Sequence, residues 1–366
     1  MKHLGDITKI SGSDIACVDC ITFGSPCQDL SIAGKRAGLA GARSGLFMEA
    51  VRVIKEMREI SGGIYPTFAI WENVPGAFSS NGGEDFRAVL EELARISQNG
   101  ISIPRPKRGK WSKAGFICGN GWSIAWRTMD AQFWGVPQRR RRIALVMDFG
   151  GQRAGEILFE RAGMSWYLES SISSWKGIAR DPVHRTAGHD RVVEGARAYT
   201  LKICSGCEGK GNKMPLVNGK YAPEISRTLR ASGYSLREEF DTYVIEKKCR
   251  RIVRRLTPTE WERLQGYPDR WTDIGEWLDS KGKRHKTADT PRYKALGNSI
   301  ALPQWQWIIC NMAKYLSQHA TLGSLFDGIG GFPLVWETLH GKGTAVWASE
   351  IEEFSIAVTK YHFGEE

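Results

Sequence analysis

Apolar positions recur at helical spacing through Gly45–Glu59, where Leu46, Phe47, Ala50, Val51, Ile54 and Met57 fall on one side of a 3.6-residue turn. Asp85–Ile96 repeats the period with Phe86, Val89, Leu90, Leu93 and Ile96. Between and around these helices lie short β-type runs. Val18–Phe23 ends in Gly-Ser-Pro, and Thr67–Trp71 ends in Glu72-Asn73-Val74-Pro75. Phe133–Val136 and Ile143–Phe149 read as strands on either side of an arginine run. Alternating strand and helix, with polar residues at the strand ends, predicts a parallel sheet with helices on both faces. From about Gly150 to Arg250 the pattern breaks into short apolar runs among Gly, Ser, Arg and Lys, with Ala198–Ile203 and Tyr243–Glu246 as candidate strands. Periodicity returns with helices at Pro258–Gln265 and Leu302–Leu316. The final stretch is another β/α unit: strand Leu322–Phe326, glycine turn Gly328–Gly331, helix Pro333–Leu339 and strand Thr344–Ser349. The expected organisation is an α/β catalytic part over 1–149, a smaller loop-rich domain over 150–250, and a bracing helix with a β/α unit over 251–366.

Charge adds a partner class. Fifty-one Lys and Arg against forty Asp and Glu leave a net charge of +11. Basic clusters stand at Arg105–Lys110, Arg139–Arg142, Lys247–Arg255 and Lys281–Lys286. Any one could be a solvated face, but four together favour nucleic acid. The longest apolar runs, Trp305–Cys310 and Ile143–Met147, are too short to cross a membrane. Lys2, His3 and Asp6 break any signal-like apolar core at the start, so a cytoplasmic location is expected. Eight cysteines in a chain of 366 residues do not suggest a disulfide scaffold. Cys17-Val-Asp-Cys20 and Cys204-Ser-Gly-Cys207 each have the spacing of half a zinc site; no second pair stands at a convincing distance, so no metal is expected. Trp-rich Gly109–Trp126 reads as core or insertion packing rather than as a base-stacking platform.

Four places carry chemistry. Ser324-Leu-Phe-Asp-Gly-Ile-Gly-Gly-Phe332 is a strand, a glycine turn and the opening of a helix, and Glu350 follows at the end of the next strand. Glycines let the backbone approach a ligand, the helix start offers free N–H groups, and an acid at that distance suits ribose hydroxyls, so a nucleoside cofactor is indicated. Cys27 lies where a strand meets a loop, at the rim that binds ligands in open α/β sheets; the competing reading is a buried structural thiol. The Gly-containing basic loop that follows, to Gly38, suits a lid closing on DNA. Glu72, again at a strand end, could act on a bound ring nitrogen or simply cap the next element. In Gln138-Arg-Arg-Arg-Arg142, strand alternation would turn Arg140 and Arg142 to one face and Arg139 and Arg141 to solvent or phosphate.

These segments resemble those of the DNA cytosine-5 methyltransferases over nearly all of the chain outside 150–250. Phe326-Asp327-Gly328-Ile-Gly330-Gly331 is similar to the family's cofactor motif, and Glu350-Ile351 to its ribose-binding segment. Gly5-Asp6-Ile7 resembles the adenine-holding segment, and Ala295-Leu-Gly-Asn298-Ser299-Ile300 the motif completing the cofactor pocket. Pro26-Cys27-Gln28 resembles the nucleophile motif, Glu72-Asn-Val the catalytic acid, and Gln138-x-Arg140-x-Arg142 the cytosine-contacting arginine. Arg255-Leu-Thr-Pro-x-Glu260 with Arg263-Leu-Gln-Gly266 resembles the segment bracing the recognition domain. The order departs from the family's: the glycine motif follows the Gly-Asn-Ser motif instead of preceding it, as in a circular permutation.

The resemblance implies a Rossmann-like S-adenosylmethionine-dependent methyltransferase sheet with a smaller target-recognition domain, acting on C5 of cytosine in a specific duplex DNA sequence. Cys27 would attack carbon 6 of a flipped base, Glu72 would act at its N3, Arg142 would hold its O2 and Arg140 would support the site. Gln28, Ser31, Lys35 and Arg36 would contact DNA, as would a Thr-Leu pair, for which Thr228-Leu229 is preferred to Thr200-Leu201. A prokaryotic or phage setting, a monomer and a cognate restriction endonuclease as partner are expected. An RNA cytosine methyltransferase, a catalytically inactive DNA-binding relative and a nucleotide-dependent oxidoreductase are the alternatives. The long 150–250 insert counts against the first and the intact Cys27, Glu72 and glycine turn against the second. The third leaves Cys27, Glu72 and the arginines unexplained.

Overall fold

The computed structural model describes residues 1–25, 45–107, 109–159, 197–200, 242–248 and 250–364, with 197–200, 242–248 and 250–254 described as backbone only. From the N-terminus run β1 (Lys2–His3), β2 (Cys20–Phe23), α1 (Gly45–Ile60), β3 (Phe68–Asn73), α2 (Glu84–Ser97), β4 (Ala114–Gly119), β5 (Trp122–Asp130), β6 (Arg141–Asp148) and α3 (Ala154–Leu158). Then come β7 (Arg197–Thr200), β8 (Thr242–Lys248), β9 (Arg250–Arg255), α4 (Pro258–Gln265), β10 (Trp277–Leu278), β11 (Arg284–His285), α5 (Asp289–Asn298) and α6 (Leu302–Ala313). β12 (Leu322–Leu325), α7 (Gly331–His340), β13 (Ala345–Ser349) and α8 (Glu353–Phe363) complete the described chain.

Two compact units result. The first holds Met1–Met129, Arg141–Met164 and Gln304–Glu366; the second holds Asp130–Arg140 and Ser165–Pro303. The eight-stranded sheet has the order β1-β13-β12-β2-β3-β6-β5-β4. Its first five strands are parallel, joined by β1/β13, β13/β12, β12/β2 and β2/β3 pairings. The expectation of a parallel sheet holds for that part only. β6 runs antiparallel to β3, with Glu72 opposite Ala144 and Asn73 opposite Ile143. β4 and β5 form an antiparallel hairpin, because a two-residue Asn120-Gly121 loop leaves no length for a crossover.

The continuous apolar character of β2 and β3 reflects burial on both faces. The predicted stripes of α1 and α2 lie in one core with them: Phe47, Val51, Ile54, Phe86, Val89 and Leu90 join Ile21, Phe23 and Trp71. Trp122 and Trp126, in the Trp-rich stretch, are buried in the same core. Phe133–Val136, expected as a strand, is instead the end of a 3-10 turn over Ala131–Phe133 and the bend after it. Gly135 at φ +101° and Pro137 break the extended run there. In the second unit, α4 starts on a capping box. Glu260 N donates to Thr257 Oγ1 at 3.3 Å and Thr257 N donates to Glu260 Oε2 at 2.7 Å. β7, β8 and β9 form a separate antiparallel sheet. No helix of the described residues is long and apolar enough to cross a membrane.

Candidate active site at the carboxyl ends of the strands

Parallel pairing brings the carboxyl ends of β1, β13, β12, β2 and β3 to one edge. In register, Ser349, Leu325, Phe23 and Trp71 form one row across four of the strands. Whatever follows these residues in sequence is therefore gathered along a single rim, the position at which open α/β sheets bind ligands.

The glycine turn follows β12. Phe326 takes φ +57°, Gly328 +61° and Gly330 +77°, left-handed values that side chains other than glycine rarely adopt. Asp327 N donates to Ser349 O at 3.1 Å, and Gly328 N donates to Glu350 Oε2 at 2.8 Å. A Cβ on Gly328 would meet no atom within 4 Å, so the backbone there faces open space. Gly330 is closed in by α8, since a Cβ on it would come within 2.6 Å of Phe363. Gly331 opens α7 and is buried. Glu350 Oε1 accepts from Ile351 N at 2.7 Å and Glu352 N at 3.0 Å. Two lone pairs per oxygen leave this carboxylate further acceptor capacity for hydroxyls. Ile351 beside it is 67% exposed and offers bare apolar surface.

Asp6 follows β1. Ser349 Oγ donates to Gly5 O at 2.7 Å, which ties this segment to the end of β13. Asp6 accepts from Thr8 N at 3.0 Å and Thr8 Oγ1 at 2.9 Å, and these bonds hold its carboxyl below the usual range. Ile7 is buried and holds the segment down. An acceptor set around Glu350, an exposed apolar neighbour and an open glycine backbone fit the ribose and base of a nucleoside cofactor. Asp327 is different in kind. It is buried, Ser324 Oγ donates to its Oδ1 at 2.6 Å, and its Oδ2 has no hydrogen-bond partner among the described residues. Burial, together with the nearby charge of Glu350, pushes its carboxyl up to about 8, and the Ser324 hydrogen bond opposes this only in part.

Glu72 and Arg142 meet further along the rim. Arg142 Nε lies 2.7 Å from Glu72 Oε1, each side chain about one-seventh exposed (14% and 15%). A Cβ on Gly24, just after β2, would lie 3.2 Å from Glu72 Oε2. Ser25 is clasped by β3: Trp71 Nε1 donates to its Oγ at 3.2 Å and Asn73 Nδ2 to its carbonyl at 3.4 Å. Pro26, Cys27, Gln28, Ser31, Lys35 and Arg36 lie outside the described residues, as do Thr228, Leu229, Leu201, Cys204 and Cys207; Thr200 ends β7 and is described as backbone only. Arg142 Nη1 donates to Arg141 O at 2.8 Å. The pair sets a carboxylate and a guanidinium beside the strand that leads to Cys27.

Arg140 does not share a strand with Arg142, because β6 begins at Arg141. The expected alternation survives as burial, with Arg139 and Arg141 exposed and Arg140 buried. In the second unit, Arg140 Nη2 donates to Gly297 O at 3.3 Å and to Ser299 O, and Arg140 N donates to Asp130 Oδ1 at 3.1 Å. Its guanidinium braces the end of α5 around Asn298, which is exposed, and Ser299, whose Oγ is 2.5 Å from Tyr267 OH. The sequence assigned no role of their own to Ser25, Asn73, Ser324 and Ser349. Their signal was position alone, as polar residues in or just after strands that share one rim.

The model of the C-5 cytosine-specific DNA methylase family matches residues 1–99 and 117–314, and the chain belongs to that family. A protein of Escherichia phage P1 named DNA N-6-adenine-methyltransferase is 29% identical over 84% of this chain and 54% of its own length. The Type II methyltransferase M.BsuFI of Bacillus subtilis is 26% identical over 82% of this chain and 59% of its own. The Type II methyltransferase M.HhaI of Haemophilus parahaemolyticus is 22% identical over 86% of this chain and 82% of its own. The chain thus spans little more than half the length of the first two relatives. Among solved structures, S. pombe Dnmt2 methyltransferase aligns with 84% of this chain and 82% of its own at 15% identity and a TM-score of 0.45.

Proposed function

We propose that this chain methylates C5 of cytosine in a specific duplex DNA sequence, with S-adenosylmethionine as methyl donor. Beyond the family match, the observation that carries this reading is the Glu72–Arg142 pair at 2.7 Å, placed beside Gly24-Ser25 just ahead of Cys27. When bound, S-adenosylmethionine supplies an electrophilic methyl. Glu350, Ile351 and Gly328 would hold it, with Phe326, Asp6 and Ile7 alongside and with Pro26, Gly330 and Gly331 forming the surrounding segments. Asn298 and Ser299 keep the cofactor role that the sequence resemblance implies.

Carbon 5 of cytosine is too weak a nucleophile to take a methyl unaided. The Cys27 thiolate would add to carbon 6, forming a C–S bond and moving electron density to carbon 5. Arg142 Nη2 would donate to O2 of the base, and Glu72 would donate a proton or hydrogen bond at N3, together stabilising the charge that develops. After transfer, loss of the carbon 5 proton and cleavage of the C–S bond would restore the double bond and release Cys27. Arg140 would act as a positioning residue through the carbonyls it holds. Because the target atom is unreachable in a duplex, the nucleotide must be flipped out, at about a few kcal/mol.

The chain order of Gly5-Asp6-Ile7, Ala295–Ile300 and Phe326–Gly331 is consistent with a circularly permuted member. The family match ends at 314, before β12, yet β12 and β13 pair into the sheet beside β2. The Type II names of the relatives support a restriction–modification setting, with a cognate endonuclease as partner. The purified chain is expected to place label from S-adenosylmethionine into 5-methylcytosine of duplex DNA, read by nucleoside mass spectrometry. Label in N6-methyladenine, or only in tRNA, would overturn the reading.

A further inference from the structure

The basic cluster at Lys281–Lys286 occupies a defined element in the second unit that the proposed chemistry does not use. Trp277 and Leu278 of β10 pair antiparallel with His285 and Arg284 of β11. The rings of Trp277 and His285 stack with centroids 4.3 Å apart and an angle of 13°. Asp279 organises the turn: its Oδ1 accepts from Lys281 N at 3.0 Å and Lys283 N at 2.9 Å, and its Oδ2 lies 2.9 Å from His285 Nε2. Gly282, at φ +76°, donates its N–H to Asp279 O at 2.9 Å and closes the tip.

The ribbon's own acids are taken up internally. Glu276 pairs with Arg284 at 3.1 Å, and the His285 hydrogen bond holds Asp279 in its charged form, below the usual carboxylate range. Lys281, Lys283 and Lys286 are exposed and form no ion pair among the described residues. The turn and the end of β11 therefore present three like charges that no ion pair neutralises among the described residues, an arrangement that an extended polyanion relieves.

We propose that the β10–β11 ribbon is a phosphate clamp that grips the DNA backbone through Lys281, Lys283 and Lys286 without reading sequence. This rests on the reading of the chain as a DNA methyltransferase. Each phosphate contact contributes about 0.9 to the slope of log affinity against log salt. Three contacts are thus worth about 2.7 in slope, or about 40-fold in relative affinity between about 50 and about 200 mM salt.

The test is duplex DNA binding by the full chain across that salt range, measured by fluorescence anisotropy for the native chain and for Lys281→Ala, Lys283→Ala, Lys286→Ala combined. The triple variant is expected to bind more weakly at low salt, with a slope shallower by about 2.7, and to keep the native target sequence, since phosphates carry no sequence information. The corresponding triple Lys→Arg variant is expected to retain the native slope. Equal slopes for the native and alanine chains would overturn the clamp alone. No duplex binding by the native chain at any salt would overturn the DNA reading and the clamp with it.

Discussion

Glu72 and Arg142 hold each other at 2.7 Å in a setting that is mostly screened from water, so each fixes the other's geometry for a base entering beside them. In the proposed mechanism, removing the guanidinium would strip O2 of the base of its donor, and it would free Glu72 from its ion pair. Arg142→Ala is expected to lower kcat by about 100- to 1,000-fold, the range seen when one preorganised donor is lost. Steady-state methylation kinetics check this, and a native kcat would contradict it. Asp327 makes a different prediction. Its folded-state pKa of about 8 lies far above the ordinary carboxyl value, chiefly because it is buried. The native state therefore keeps a proton that the unfolded chain has lost between about pH 4 and about pH 8. This contribution to stability is full below that window and is lost as pH rises through it, by at most about 1.4 kcal/mol per pH unit. Asp327→Asn cannot ionise, so its stability relative to the native chain is expected to rise between pH 6 and pH 8. Urea unfolding at several pH values checks this; parallel stability curves would contradict it.

At the scale of elements, three tryptophans lie over glycines directly across a strand pair. Gly115 faces Trp126, Gly119 faces Trp122, and Gly323 faces Trp347. A Cβ on these glycines would come within 2.1, 2.3 and 2.1 Å of the indole rings. The rings are themselves anchored: Trp347 Nε1 donates to Ala16 O at 2.9 Å, Trp122 Nε1 to Gln98 Oε1 at 3.0 Å and Trp126 Nε1 to Ser112 O at 3.0 Å. Gly323→Ala on β12 is expected to destabilise by about 1–3 kcal/mol through overpacking, read as a lower urea midpoint. An unchanged midpoint would show that the ring yields freely. These pairs explain what the sequence left obscure. The helices α1 and α2 were legible because each repeats one clear period, and the strands β2, β3, β12 and β13 because each is a short, mostly apolar run closed by turn or polar residues. The β4–β5 hairpin was not, although Asn120-Gly121 is a strong turn signal, because Gly115 and Gly119 in β4 and Trp122 and Trp126 in β5 stand in place of a clean apolar–polar pattern. α8 was also missed. It buries only Ser355, Val358 and Thr359 and carries no broad apolar stripe, yet its Phe363 closes over Gly330.

At the scale of the molecule, the rim was legible before the fold was known, because parallel strands bring their carboxyl ends together wherever they fall in the chain. Glu72, Phe326–Gly331 and Glu350 were each found as residues at or just beyond a strand end, and Asp6 only through the resemblance carried by Gly5-Asp6-Ile7. The fate of the arginine run was not legible: the chain passes from the second unit to the first between Arg140 and Arg141, and neighbours in sequence take separate duties. Nor was the protonation of Asp327, which depends on how completely the packed turn removes it from water. The central claim is covalent catalysis by Cys27 on a cytosine. Its most direct test is incubation of the chain with S-adenosylmethionine and a duplex bearing 5-fluorocytosine at the target, where the C–S bond forms but the fluorine at carbon 5 blocks the proton loss needed for release. A stable protein–DNA adduct is expected, mapped by peptide mass spectrometry to Cys27 and absent in Cys27→Ser. An adduct on another cysteine, or full methylation of ordinary DNA by Cys27→Ser, would contradict it.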